Sequence, residues 1–85
     1  FILHGKAQYD FLINDNIILE VLGDYWHGNP EFYEVLNDRQ KYKQARDIEK
    51  KKIANENGYV YYYIWENDIK NNNWRILDEI SNDRN

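Results

Sequence analysis

The 85 residues include no cysteine and carry a net charge of −4, which describes one small domain with a thin core and neither disulfides nor a thiolate zinc site. Three Trp, eight Tyr and three Phe supply bulk in place of any Met, and each aromatic ring buries a large area. No apolar run nears the ~20 residues that span a bilayer and no signal-peptide pattern opens the chain, so no membrane partner is expected.

The charge is unevenly spread. Up to Asp38 the only Lys or Arg is Lys6, set against seven acids, whereas seven of the eleven basic residues fall between Arg39 and Lys52. That cluster fits phosphate contacts and a solvated helix face equally well. An acidic domain is a poor stand-alone nucleic-acid binder, so affinity for DNA is expected to need a separate DNA-binding domain or a second subunit.

In chain order, Phe1-Ile2-Leu3 reads as a short strand turned by Gly5-Lys6. Ala7 to Ile13 alternates in part, with Ala7, Tyr9, Phe11 and Ile13 on one face and Asp10 on the other. Asn14-Asp15-Asn16 signals a tight turn. Ile17 to Leu22 is apolar on both faces, as a buried central strand should be. A loop follows with the only proline, Pro30, and Glu31 to Leu36 is predicted to make a helical turn. Asn37 or Asp38 caps a long polar helix that runs to about Asn57 and stops at Gly58, with Tyr42, Ala45, Ile48 and Ile53 as its thin apolar stripe. Tyr59 to Trp65 is the strongest strand. A final helix, about Asp68 to Ser81, is predicted to pack through Ile69, Trp74, Leu77 and Ile80. The order implies an α/β fold: a small mixed β-sheet, made of hairpin strands, a helical crossover and a further strand, flanked by helices.

Asp10 and Glu20 are acids inside apolar strands, where a charge needs a partner or a task. A three-residue loop, Asn14 to Asn16, sets Asp10 opposite Glu20. A two-residue loop pairs Asp10 with Val21 and leaves a backbone carbonyl near Val21 as the second metal ligand. His27, after two rings and between two glycines, is the candidate proton-transfer group. Tyr25 and Trp26 are either core plugs or wedges between bases, and Asp24 is a turn residue. Asp47 has Lys43 four residues before it and Lys51 four after, a spacing that favours helical ion pairs. The rings of Tyr59 to Trp65 could stack single-stranded nucleic acid, although a core strand is the commoner use of such a run. His4 is assigned no role.

Taken together, Tyr9-Asp10-Phe11, Ile18-Leu19-Glu20-Val21, and Gly23-Asp24-Tyr25-Trp26-His27-Gly28 resemble the very-short-patch-repair-like branch of the PD-(D/E)XK nucleases. Within that branch the chain is most similar to the phage-type homing endonucleases called EDxHD. Asp47, Gly58-Tyr59, Ile64-Trp65-Glu66 and Asp68-Ile69 extend the resemblance over most of the chain. It implies a restriction-endonuclease-like core and a DNA endonuclease that uses Mg²⁺, with Mn²⁺ able to substitute, on double-stranded DNA in the cytoplasm of a bacterial or phage-infected cell. By resemblance Asp10 is the metal-binding aspartate, Glu20 falls where many of these enzymes hold a second metal ligand, His27 activates water, and Asp47 orients His27. Tyr25-Trp26 matches the aromatic pair inserted into the DNA stack, and Lys43, Lys50 and Lys51 are the expected phosphate contacts. Leu22 stands where the Glu-x-Lys motif has its lysine, and without cysteine no structural zinc is expected. The family's early glutamate lies in a helix before the first strand, so residues 1–85 are expected to be a single nuclease-like domain lacking that helix. The competing class is a non-catalytic nucleic-acid-binding or assembly module that keeps the nuclease fold. A domain that cuts RNA or repairs mismatches is the third.

Overall fold

The computed structural model describes residues 2–3 and 7–82; Phe1, His4 and the expected Gly5-Lys6 turn lie outside them. Strands β1 (Ile2–Leu3) and β2 (Ala7–Gln8) pair antiparallel as a two-stranded sheet. Strands β3 (Phe11–Ile13), β4 (Ile17–Leu22) and β5 (Val60–Trp65) form a second sheet in the order β3-β4-β5. The β3–β4 pair is antiparallel and the β4–β5 pair is parallel. Helix α1 (Asp38–Glu56) makes the crossover between the parallel strands, and α2 (Glu66–Lys70) and α3 (Arg75–Asn82) follow β5. The expected α/β class, mixed sheet and helical crossover are all present. No helix among the described residues is long and apolar enough to cross a membrane.

The hairpin register follows from its turn. Asn14 and Asp15 adopt positive φ of 53° and 68°, conformations that Asn and Asp tolerate better than other side chains. Ile13 pairs with Ile17 across the three-residue loop, and continuing that register sets the Asp10 position opposite Glu20. The strand expected from Ala7 to Ile13 is nevertheless broken. A bend at Asp10 separates β2 from β3, because the Asp10 Oδ2 accepts the Val21 N–H at 2.8 Å where a continuing ladder would use a backbone carbonyl. Alternation fails there too: Tyr9 is buried while Phe11 is 53 % exposed.

Strand β4 separates two cores. Ile18 packs with Leu3, Ala7, Tyr9 and Ala54 on the α1 side. Ile17 and Leu19 pack with Ile64 and Ile80, backed by Ile69 and Ile76, on the α3 side. A fully buried Ile such as Ile17 or Ile18 contributes roughly 1.5–3 kcal/mol.

The bounds of α1 are fixed by its ends. The Asn37 side chain accepts from Gln40 N at 2.9 Å, while Gln40 Oε1 accepts from Asn37 N at 3.0 Å, a reciprocal cap that satisfies two otherwise orphan donors. At the other end Asn57 caps the helix and Gly58 takes φ +85°, a left-handed exit that suits glycine. Of the expected apolar stripe, only Ile53 packs against the core. Tyr42 and Ile48 are 70 % and 72 % exposed and Ala45 is also exposed. The inward face instead carries Gln40, Gln44, Asp47, Lys50 and Ala54, spaced as one side of a helix.

Two other expectations differ. Glu31 to Leu36 forms no helix; the Phe32 and Tyr33 N–H groups both donate to Asn29 O in a turn. The last helix is two helices, broken where Asn72 adopts φ 55° and Asn73 N donates to Asp68 O at 2.8 Å. The break leaves Trp74 and Leu77 44 % and 43 % exposed, so Ile69, Ile76 and Ile80 do the packing.

Candidate functional site

The segment Gly23 to Pro30 leaves the C-terminal end of β4, the end at which open α/β sheets place ligands. It coils into consecutive turns: His27 N donates to Gly23 O, Gly28 N to Tyr25 O and Asn29 N to Asp24 O. Asp24 is a turn residue, accepting from Asn29 Nδ2 at 3.0 Å and from Asn67 N at 3.3 Å. Gly28 sits at φ +64°, and a Cβ there would lie 2.6 Å from Leu36 Cδ2. On α1 the same Cβ would meet Gln44 Nε2 at 3.1 Å, so the left-handed φ and the close approach both favour glycine.

The polar stripe of α1 grips this coil. Gln40 Nε2 donates to Tyr25 O at 2.8 Å, and Gln44 Nε2 donates to His27 O and Gly28 O at 3.0 and 3.2 Å. One turn further along the helix, Asp47 Oδ2 lies 2.6 Å from His27 Nδ1. An ionised carboxylate only accepts, so Nδ1 donates and Nε2 is left as the basic atom of the imidazole. Both side chains are about one-fifth exposed, 20 % for His27 and 18 % for Asp47. Asp47 thus turns to His27 across the fold, where helical spacing alone favoured Lys43 and Lys51.

Beneath this pair lies a buried ionic network. The Glu20 side chain is 4 % exposed; its Oε1 pairs with Lys50 Nζ and its Oε2 accepts from Tyr61 Oη at 2.7 Å. Lys50 Nζ also stands 5.1 Å from the Tyr9 ring centroid, and Tyr9 Oη donates to the backbone carbonyl of Lys50 at 2.7 Å. Burial, then the hydrogen bond to Glu20 and the nearby carboxylates of Glu20 and Asp47, hold the Tyr61 hydroxyl protonated far above the usual tyrosine range. Burial first and Glu20 second also push Tyr9 upward.

The residues expected to act together are therefore divided among three places. Glu20 faces Lys50 and Tyr61, with each carboxylate oxygen already bonded to a donor, an arrangement that does not fit a metal ligand. Lys50, expected on DNA, is turned inward to Glu20 with its side chain 17 % exposed. Asp10 is exposed at the sheet edge with its carboxylate on the Val21 peptide. In an extended strand the N–H and C=O of one residue face the same neighbour, so the Val21 carbonyl shares that side with Asp10. One carboxylate and one carbonyl suit a Mg²⁺ ion, which keeps several waters and takes few protein oxygens. Among the described residues, no group of three or more His, Cys, Asp or Glu side chains is arranged to hold a metal.

The expected DNA contacts flank His27. Trp26 is 50 % exposed and lines one hollow with His27 and Lys43. A second cleft of about 370 Å³ is lined by His27, Asp47, Lys51, Tyr61, Tyr63 and Trp65, among others. Tyr25 is more tethered than Trp26, since its hydroxyl accepts from Asn37 Nδ2 at 3.3 Å and its ring meets Tyr33 edge-on. Lys43 and Lys51 are exposed and lie four residues to either side of Asp47.

Sequence reading missed Gln40 and Gln44, and it gave no sign that Tyr61, within the aromatic run, bonds to Glu20. The available signal was the spacing of Gln40, Gln44, Asp47, Lys50 and Ala54, which a search for apolar stripes passes over. Comparison of the chain with protein-family models, curated proteins and solved structures finds no match.

Proposed function

We propose that this chain is the catalytic domain of a metal-dependent DNA endonuclease, hydrolysing phosphodiester bonds with His27 as the general base. The observation that carries the reading is the His27–Asp47 pair, 2.6 Å apart, at the C-terminal end of β4 and flanked by Lys43 and Lys51. Asp47 fixes the tautomer and steadies the imidazolium that forms when Nε2 takes a proton from water, a role worth 10²–10⁴-fold in comparable general-base systems. Gln40 and Gln44 hold the coil so that His27 stays aimed. Lys43 and Lys51 supply positive charge for the phosphate backbone, and Trp26, half-exposed and edge-on to the Tyr25 ring, is the ring placed to wedge between bases. Asp10 with the Val21 carbonyl would hold the cation. Mg²⁺ or Mn²⁺ bound there would polarise the phosphoryl oxygen and lower the pKa of water.

Double-stranded DNA is the proposed substrate, with a further DNA-binding domain or second subunit supplying most of the affinity. Cleavage of supercoiled plasmid in Mg²⁺ tests the reading. His27→Ala and Asp10→Asn are expected to abolish nicking while DNA binding survives in a gel-shift assay. Undiminished nicking by both variants sinks it. One observation favours the alternative of a non-catalytic module with the same fold: Glu20 is neutralised by Lys50 instead of standing open. Mg²⁺ binding measured by calorimetry separates the two, because the endonuclease reading requires binding that Asp10→Asn removes.

A further inference from the structure

We infer that the cleft beside His27 is a nucleobase pocket, so that the strand bound at the His27–Asp47 pair has one base unstacked from its neighbours and held against β5. The inference rests on the endonuclease reading for its location and extends it to the state of the substrate. Tyr61, Tyr63 and Trp65 alternate along β5, so their side chains share one face of the sheet, the face that also carries Leu22 opposite Trp65. Tyr63 and Trp65 meet edge-to-face, 5.8 Å between centroids and 81° between planes, which holds the rings in place before any ligand arrives. Tyr63 remains 47 % exposed. The cleft volume of about 370 Å³ lies within the range of small-molecule sites.

The lining selects the ligand. The three rings and Ile48 line the cleft together with His27, Asp47 and Lys51, the last an exposed residue of α1. A flat, aromatic group joined to an anionic backbone satisfies all of these at once: the base meets the rings while its phosphate meets Lys51 and His27. An apolar protein segment would bury the Lys51 ammonium without a counter-charge, which is costly. Bases inside an intact duplex cannot reach such a cleft. The hollow lined by Trp26 and Lys43 shares His27 with this cleft, which offers a neighbouring nucleotide its own ring and its own cation. The geometry therefore favours a strand splayed at the scissile phosphate over fully paired DNA.

The test compares a short oligothymidylate with an abasic oligomer of equal length, which carries the same phosphates and no bases. Fluorescence anisotropy on the full chain is expected to give at least about tenfold tighter binding of the oligothymidylate, the scale of one base stacked on an aromatic side chain. Tyr63→Leu, which keeps apolar area and removes the ring, is expected to erase most of that preference without changing the abasic affinity, while Trp74→Leu, outside the cleft, leaves both unchanged. Equal affinity for the two oligomers, or a preference that Tyr63→Leu leaves intact, overturns the proposal. Chemical-shift mapping of the unmodified chain gives a measure independent of any variant. Ring-proton shifts are expected at Tyr61, Tyr63 and Trp65, and shifts confined to Tyr25 and Trp26 overturn it. Loss of plasmid nicking with base-dependent binding intact would count against the endonuclease reading alone, whereas nicking with equal oligomer affinities would count against the pocket alone.

Discussion

The two faces of the central strand have been given opposite contents. Towards α3, β4 presents Ile17 and Leu19 to Ile64 and Ile80, an aliphatic layer. Towards α1 it presents Ile18, then Glu20, then Leu22, and the helix replies with Ala54, Lys50 and Asp47 in turn. The polarity of this second face rises along the strand, from a fully buried isoleucine to an ionic network to a histidine–carboxylate pair beside open clefts. In a domain this thin, one side of a sheet supplies the non-directional burial that holds the chain together. The other side can then carry directional, costly groups that are retained for position.

That contrast can be broken from either side. Lys50→Met should have the largest effect on stability, about 3–5 kcal/mol, because it leaves Glu20 buried without its cation; the double variant Glu20→Leu/Lys50→Met should recover most of the loss in urea denaturation. If the single and double variants are equally unstable, the pair is not the source. Ile64→Ala on the aliphatic face should cost about 2–4 kcal/mol and leave plasmid nicking per folded molecule unchanged. A selective loss of turnover in that variant would mean that the two faces are not independent. Gly28→Ala should cost about 1–2 kcal/mol from left-handed backbone strain, with further loss if Leu36 cannot yield. NMR should show the His27 imidazole signals shifted, since the coil that carries His27 must move.

The smallest effect concerns pH. Tyr61 has its pKa raised on folding, so the folded chain retains a proton that the unfolded chain releases near pH 10. The stability that this proton provides is complete below pH 10 and declines as pH rises above it, the direction linkage requires for a raised pKa. Tyr61→Phe should flatten this part of the alkaline stability profile, measured by denaturation at a series of pH values. An unchanged slope would show that other tyrosines set it.

The parts of this fold readable from sequence were those written locally. Asn37 and Gly58 fixed the ends of α1 within a residue or two, and the β-branched and aromatic run fixed β5. The parts that escaped depend on partners distant in the chain. Asp10 ends a strand by offering a carboxylate where Val21 needs an acceptor, and no local preference encodes that. The inward face of α1 escaped because its glutamines bond to backbone carbonyls of a coil whose shape is set by Gly28, so polarity marked the face as solvent-exposed. Lys50 escaped for the same reason, since a lysine among lysines gives no sign that it alone meets Glu20. Trp74 and Leu77 were misplaced because three successive asparagines turn the chain between α2 and α3 and rotate both side chains outward.

The parallel pairing of β4 with β5 has a consequence for how the molecule is made. Ile17 finds Val60 only after all of α1 has been synthesised between them, and such non-local pairing forms late. Until then one edge of Ile17–Leu22 stands open on a growing chain, an apolar template for intermolecular strand pairing. Fragments ending before Val60 are therefore expected to accumulate as aggregates, and the Ile18, Glu20 and Leu22 side of β4 cannot acquire its Tyr61, Tyr63 and Trp65 neighbours until synthesis has passed Trp65.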